Sequence, residues 1–361
     1  AVAMEALHTL GVANPAQNFI VASQGPLNED GIPVVVLAKK TAFTAQEEAA
    51  VQAHFAHYPK LVPIYLPSQS EAKVHNPFAD LIASNDPYRF AQSYDYNVAP
   101  VTDNAPFFFF TLKPRQILGT QGLRNGIDWK VNLGVLVLLL VLIISFLAVV
   151  LFLILPLALR TGRQPSLPVL YFVAVGMGYI LVEIAFIQRF VLFLGHPTYA
   201  LTVVIFLLML SSGAGSLFSR RWLPHTELAW MPLLLVVAAL VANVIFLPRV
   251  LVSWVGFGFG YRLLICGMLL IPLGFVMGMP FPTGLRAFAA RAIPGAANGS
   301  PGADNAVEWA WAMNAAASVL GSVLAMVIAI QFGLTVTLTC GLAAYLLALG
   351  LLPSLRPQRS L

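Results

Sequence analysis

Glu183 stands in Gly178-Tyr-Ile-Leu-Val-Glu-Ile-Ala-Phe-Ile-Gln-Arg189, near the middle of an otherwise apolar run over 167–190. An ionised carboxylate at the centre of a bilayer costs about 2.5 to 3.5 kcal/mol on insertion scales, so this side chain is expected to face protein rather than lipid. The chemistry open to it is binding of a proton or substrate, or a structural pair with Arg189, Gln188 or a neighbouring helix. Arg189 and His196 follow near the turn Gly195-His-Pro-Thr198. No second histidine stands at metal-ligand spacing, so His196 reads as an interfacial hydrogen-bonding group. Asn314, Ser318 and Ser322 recur every four residues beside Ala317 and Gly321. Small residues at that spacing let helix backbones approach closely while the polar ones bond across the contact. Ser212 and Ser216, with Gly213 and Gly215, give a second such surface. We therefore expect Glu183, Arg189, His196 and Asn314 to form a buried polar set, with Ser212, Ser216, Ala317 and Gly321 packing helices. The residues show neither a catalytic constellation nor a metal-ligand set.

Those residues must be positioned by membrane helices. The stretch 131–159 has no charged side chain, and 59% of the chain is hydrophobic against 10% charged. A bilayer core of roughly 30 Å needs about 20 apolar residues of helix, and only helices or closed barrels satisfy their backbone groups there. We expect seven segments, at about 131–159, 167–190, 198–218, 229–254, 261–285, 306–332 and 334–353. Gly278-Met-Pro-Phe-Pro-Thr-Gly284 interrupts the fifth and is either a helix end near the interface or a broken helix lining a cavity. The basic loop residues divide almost evenly between the two faces, so the positive-inside rule leaves the orientation open. Cys266 and Cys340 fall inside spans and act as small apolar residues. The net charge of +5 is scattered without basic runs, which argues for contact with lipid headgroups and against nucleic acid.

Residues 1–115 hold most of the acidic side chains and read as a water-soluble α/β piece, followed by an interfacial linker over 116–130 and the membrane domain over 131–361. Helix signals at 2–10 and 44–58 alternate with β-branched runs at 19–23, 33–38 and 61–66. Thr44 and Glu47 form a capping-box pattern. A turn-rich stretch over 25–31 makes the first two runs neighbouring strands. So few elements cannot bury a doubly wound core, so an upstream segment or a partner is expected to complete it. Phe107 to Phe110, four consecutive phenylalanines, are expected to seat this piece on the membrane or on the first helices.

Four stretches carry a resemblance. Asp103-Asn-Ala-Pro-Phe-Phe-Phe109, Val182-Glu-Ile-Ala-Phe-Ile-Gln-Arg-Phe190 running on to Gly195-His-Pro-Thr-Tyr-Ala200, Gly278-Met-Pro-Phe-Pro-Thr-Gly-Leu-Arg286, and Trp309-Ala-Trp-Ala-Met-Asn-Ala-Ala-Ala-Ser-Val-Leu-Gly-Ser322 resemble the C-terminal half of bacterial integral-membrane spermidine-synthase-like proteins, related to polyamine aminopropyltransferases. The resemblance implies an α-helical polytopic membrane protein of the bacterial cytoplasmic (inner) membrane. Its small N-terminal region would be the C-terminal portion of a Rossmann methyltransferase-like domain. It also implies that the groups binding S-adenosylmethionine, or its decarboxylated form, lie in a missing upstream half. A dinucleotide-binding half needs a glycine-rich turn and an acidic residue after its second strand. Residues 1–100 offer only Gly11, Gly25 and Gly31. Asn104 and Ala105 also depart from the two acidic residues followed by arginine that often fill their motif.

The expected function of the chain is that of a membrane-anchoring, structural or accessory subunit, without a cofactor of its own. Its expected partners are the lipid bilayer and an upstream Rossmann half or other membrane-complex subunits. The alternatives are a membrane-bound aminopropyl- or methyltransferase whose cofactor-binding half lies upstream or on another chain, and a small-solute transporter using Glu183.

Overall fold

The structure is a computed structural model that describes residues 1–27, 32–58, 60–69, 75–108, 110, 111, 113, 133–160, 166–223, 228–292 and 301–355. The expected linker 116–130 and several of the basic loop residues, Arg163 and Arg356 among them, lie outside the described residues. Backbone contacts divide the chain into two units. One is residues 1–102 with 108–132. The other joins the short segment 103–107 to 133–361.

The first unit opens with helix α1 (Val2–Thr9), strand β1 (Phe19–Gln24), strand β2 (Val34–Ala38), helix α2 (Ala45–His57) and strand β3 (Leu61–Tyr65). Helices α3 (Pro77–Ser84) and α4 (Pro87–Ser93) follow. The sheet order is β2-β1-β3, and both pairings are antiparallel. A three-stranded sheet of this kind is what the described residues contain. Phe19 and Val21 point to the face covered by α1 and α3, where they pack with Met4, Leu7, Tyr65 and Ile82. The helix starts follow local chemistry. Asn76 and Asp86 each accept two backbone N–H groups ahead of a proline at the first helical position, where the missing N–H costs nothing. Thr44 and Glu47 complete the capping box of α2, and Lys39 Nζ lies 2.6 Å from Glu47 Oε2. At the end of α4, Lys113 donates to the carbonyls of Ala91 and Gln92 at 2.7 and 3.1 Å.

Glu47 gives this unit an acid-sensitive cap. The hydrogen bond from Lys39, then those from the Thr44 backbone and hydroxyl, hold its carboxyl at about 2 instead of 4.5. A depressed folded value means that the stabilisation is present above the unfolded value and is lost as pH falls from about 4.5 toward 2. A carboxyl-detected NMR titration of Glu47 is expected to show that midpoint. In Lys39→Met it should move back toward 4.5.

The second unit is helical. Its first span is α5 (Leu133–Val149), a π-helical stretch over Val150–Ile154, and α6 (Leu155–Arg160). Then come α7 (Ser166–Leu194), α8 (Pro197–Trp222), α9 (Trp230–Trp254), α10 (Phe259–Met277), α11 (Pro280–Ala292), α12 (Pro301–Phe332) and α13 (Leu334–Leu351). Among the described residues, seven helical stretches are long and apolar enough to cross a membrane, the fifth of them running through α10 and α11 as 259–289. The first span is only 6% buried within the chain, whereas α7 is 61% buried. α7 is therefore the central helix, packed against α8, α12 and α13.

The fifth segment is interrupted where expected, between Met277 and Pro280. Pro280 and Pro282 lack the N–H groups that an uninterrupted helix would use, so α10 stops at Met277 and α11 restarts with Pro280 in its first turn. Close packing concentrates at this break. A Cβ on Gly278 would come within 2.0 Å of the Ser212 carbonyl oxygen, and one on Gly215 within 1.8 Å of the Phe275 oxygen. On α8, Ser211, Gly215 and Ser219 are buried, and Ser212, whose backbone meets Gly278, is half-buried, as is Ser216. Of the residues expected to pack here, Gly215 and the Ser212 backbone lie in the contact, and Ser211 and Ser219 join them. Gly215→Ala must force two backbones apart. It should cost roughly 1–3 kcal/mol, read as earlier thermal unfolding in detergent. On α12, Ala317 and Gly321 are buried, and a Cβ on Gly321 would meet Ile180 and the Met177 sulfur within 2.7 Å.

Candidate functional site

The four polar residues expected to form one set take separate positions. Arg189 is buried at 7% exposure. Its guanidinium Nη2 donates to Thr335 Oγ1 at 2.6 Å and to Asn104 Oδ1 at 3.3 Å. Asn314 is half-buried on α12 and donates from Nδ2 to the Phe172 carbonyl at 3.1 Å, beside Gly176, whose hydrogen leaves room for it. His196 is exposed, contrary to expectation, because it is the residue before α8: its Nδ1 accepts the Thr198 N–H at 3.2 Å and caps the helix. Glu183 is half-buried on α7 and, among the described residues, makes no hydrogen bond or ion pair. The structural pair with Arg189 or Gln188 considered for it does not form. Gln188 contacts the Met326 sulfur at 3.7 Å instead.

Asn104 is the residue that sequence reasoning missed. The segment 103–107 belongs to the helical unit, and Asn104 organises the start of α13 there. Its Oδ1 accepts the Thr335 N–H at 2.8 Å, the Thr335 hydroxyl at 2.6 Å and the Arg189 guanidinium. Its backbone carbonyl accepts the Leu334 N–H at 2.8 Å. Helix N-termini carry unsatisfied N–H groups and partial positive charge, so the two oxygens of Asn104 act as a cap supplied from far away in sequence. Gly333 makes the approach possible: it sits at φ 89°, and a Cβ there would lie 2.5 Å from Asn104 Nδ2. The negative charge of Asp103 also acts on Arg189, from beyond ion-pair distance. This is a structural junction; it binds the arginine rather than freeing it for chemistry.

A second polar group surrounds the break between α10 and α11. Tyr171 donates to the Pro280 carbonyl at 2.8 Å, and the Thr283 hydroxyl shares that acceptor at 3.0 Å. Tyr179 and Ser212 hydroxyls lie 3.3 Å apart. Tyr345 is fully buried over Gly178, and its hydroxyl has no hydrogen-bond partner among the described residues.

In the first unit, the feature that awaits a partner is the outer edge of β2. Val35, Val36 and Leu37 are 52%, 46% and 40% exposed. Lys39 N–H reaches the Asn18 carbonyl and Gln24 N–H reaches the Pro33 carbonyl, which fixes the alternation of the β1–β2 ladder. Residues 33, 35, 37 and 39 face β1 with their main-chain groups. Val34, Val36 and Ala38 therefore turn theirs outward. Edge strands are normally blunted by charge, proline or a bulge. β3 has Pro63, and the β1–β3 ladder carries an irregularity at Val21 and Ala22. β2 is Val-Val-Val-Leu-Ala with none of these. Val35 and Leu37 also line an apolar hollow with Ala22 and with Val51, His54 and Phe55 of α2. α2 covers that face of the sheet only loosely, since Glu48 is its one buried residue.

No protein-family model, curated protein or solved structure matches this chain. The site must be judged on its own geometry. Among the described residues no three or more histidine, cysteine, aspartate or glutamate side chains are gathered to hold a metal ion. The unblunted edge of β2 and the hollow beside it offer main-chain donors and acceptors and apolar surface to a strand-bearing segment.

Proposed function

We propose that this chain is the membrane-anchoring part of a spermidine-synthase-like protein of the bacterial inner membrane. In this reading the helical unit holds in the bilayer an α/β unit that is the trailing portion of a Rossmann-like sheet. The strands that grip the cofactor are added along β2, from chain upstream of these residues or from another subunit. The chain by itself is accessory and non-catalytic, and the completed assembly transfers an aminopropyl or methyl group from an S-adenosyl donor to an amine near the membrane.

The observation that carries the proposal is the apolar, unblunted edge of β2, unpaired among the described residues, beside the hollow under α2. An exposed strand of this composition is an aggregation hazard unless something pairs with it. An added strand bonds through main-chain groups, and its flanking helix fits an apolar hollow. The resemblance of the 103–109, 182–200, 278–286 and 309–322 stretches to that family supplies the chemistry expected of the completed sheet.

The test is equilibrium binding of radiolabelled S-adenosylmethionine and of its decarboxylated form. Native membranes containing the assembly are expected to bind one of the two, and the purified chain alone neither. Binding by the isolated chain would remove the proposal, as would native membranes that bind neither form.

A further inference from the structure

Glu183 is the polar group of the helical unit that the anchoring role leaves unexplained. It lies within the span 167–194, on the central helix, and makes neither a hydrogen bond nor an ion pair among the described residues. The titratable groups on its own helix and on the helices packed against it include Arg189, Arg220 on α8, Arg262 on α10, Arg286 on α11, Glu308 on α12 and Tyr345 on α13, and among the described residues none of them forms an ion pair or hydrogen bond with Glu183. Arg189, the cation nearest in sequence, is held by Asn104 and Thr335. Side chains on a helix lean toward its N-terminus, so the carboxyl lies over the turn that carries Tyr179, one helical repeat earlier. The charge of Glu183 is felt at Tyr179, whose hydroxyl pairs with Ser212 Oγ at 3.3 Å.

A carboxylate without a cation in this setting has one inexpensive partner, a proton. We propose that Glu183 is a proton-binding site inside the bilayer, with Tyr179 and Ser212 as the adjacent hydroxyls through which the proton is exchanged. The Tyr345 hydroxyl, on a helix packed against α7, is a further buried hydroxyl without a hydrogen-bond partner among the described residues. As an acid, Glu183 both donates and accepts a hydrogen bond; as a carboxylate, it only accepts. Loss of the proton therefore changes which neighbours it can hold. The inference stands apart from the role given to β2, since it concerns only helices of the second unit.

Dicyclohexylcarbodiimide, which partitions into lipid, tests it. The protonated carboxyl adds across one C=N bond of the reagent, its proton passing to nitrogen, and the acyl group then migrates from oxygen to nitrogen. The product is a stable N-acylurea heavier by one whole reagent molecule. The full chain in phosphatidylcholine vesicles is expected to be labelled at Glu183 at about pH 7 and at least tenfold less at about pH 10. Protein returned from pH 10 to pH 7 before labelling should react fully, which separates loss of the proton from loss of fold. Glu183→Asp should still be labelled and Glu183→Gln should not, with unchanged melting for both. If the glutamine variant fails to fold, the pH dependence of the unaltered chain decides alone. Absence of label at Glu183 at pH 7, or labelling equal at both pH values, would overturn the proposal.

Discussion

Asn104→Ala is expected to destabilise the helical unit by about 3 kcal/mol, more than any other single polar substitution in the chain. The Oδ1 of Asn104 accepts three donors, Arg189 Nη2, Thr335 N and Thr335 Oγ1. Alanine removes the acceptor of the Thr335 N–H and hydroxyl and leaves Arg189 Nη2, on a residue only 7% exposed, with Thr335 Oγ1 alone. Each buried donor left unsatisfied costs about 1–3 kcal/mol, and the loss of a helix cap alone costs about 1 kcal/mol. Relaxation and water entry return part of that sum. Asn104→Asp should do the opposite. A carboxylate in the same place would face a guanidinium and the N-terminal end of α13, two sources of positive potential that together add about 1–2 kcal/mol. That gain belongs to the ionised form and disappears as pH falls through the carboxylate range below about 4. Thermal unfolding in detergent at neutral pH should therefore rank aspartate above asparagine above alanine. Equal melting of all three would show that the junction does not hold the start of α13.

Val36→Pro is expected to leave the chain folded and abolish its assembly. The main-chain groups of Val36 point away from β1, so the substitution removes no hydrogen bond of the existing sheet, and proline is tolerated in an edge strand. It does remove the central donor of the outer edge. Binding of the S-adenosyl ligand by native membranes should fall at least tenfold, with the melting of the purified chain shifted by no more than about 1 kcal/mol equivalent. Val35→Pro is the control. Its N–H lies in the ladder with β1, so it should unfold the first unit.

The sequence reveals those features whose causes are local. Thr44 with Glu47 announces α2, the β-branched runs announce the three strands, and the apolar runs announce seven spans because length and composition alone decide them. Helices α3 and α4 are not expected from sequence: Asn76-Pro77 and Asp86-Pro87 cap them, but no hydrophobic period of useful length follows either cap. The packing register of α8 is only partly legible for a physical reason. In a membrane helix all faces are apolar, so periodicity brings out Ser212 and Gly215 but cannot show that Ser211 and Ser219 are the buried serines. Asn104 was equally hidden: its partners Arg189 and Thr335 lie 85 and 231 positions along the chain, and asparagine in a turn-like stretch commonly serves its own backbone. His196 lies in Gly-His-Pro, where a residue before proline at a helix start is a cap, and that local signal explains its exposure.

Residue-resolved amide hydrogen exchange along β2 is the measurement closest to the central claim. In the purified chain, Val35 and Leu37 should be protected by β1 while Val34, Val36 and Ala38 exchange at unpaired rates. In native membranes those three outer amides should become protected as well. If they exchange equally fast in both preparations, nothing pairs with β2, and the chain does not carry the end of a larger sheet.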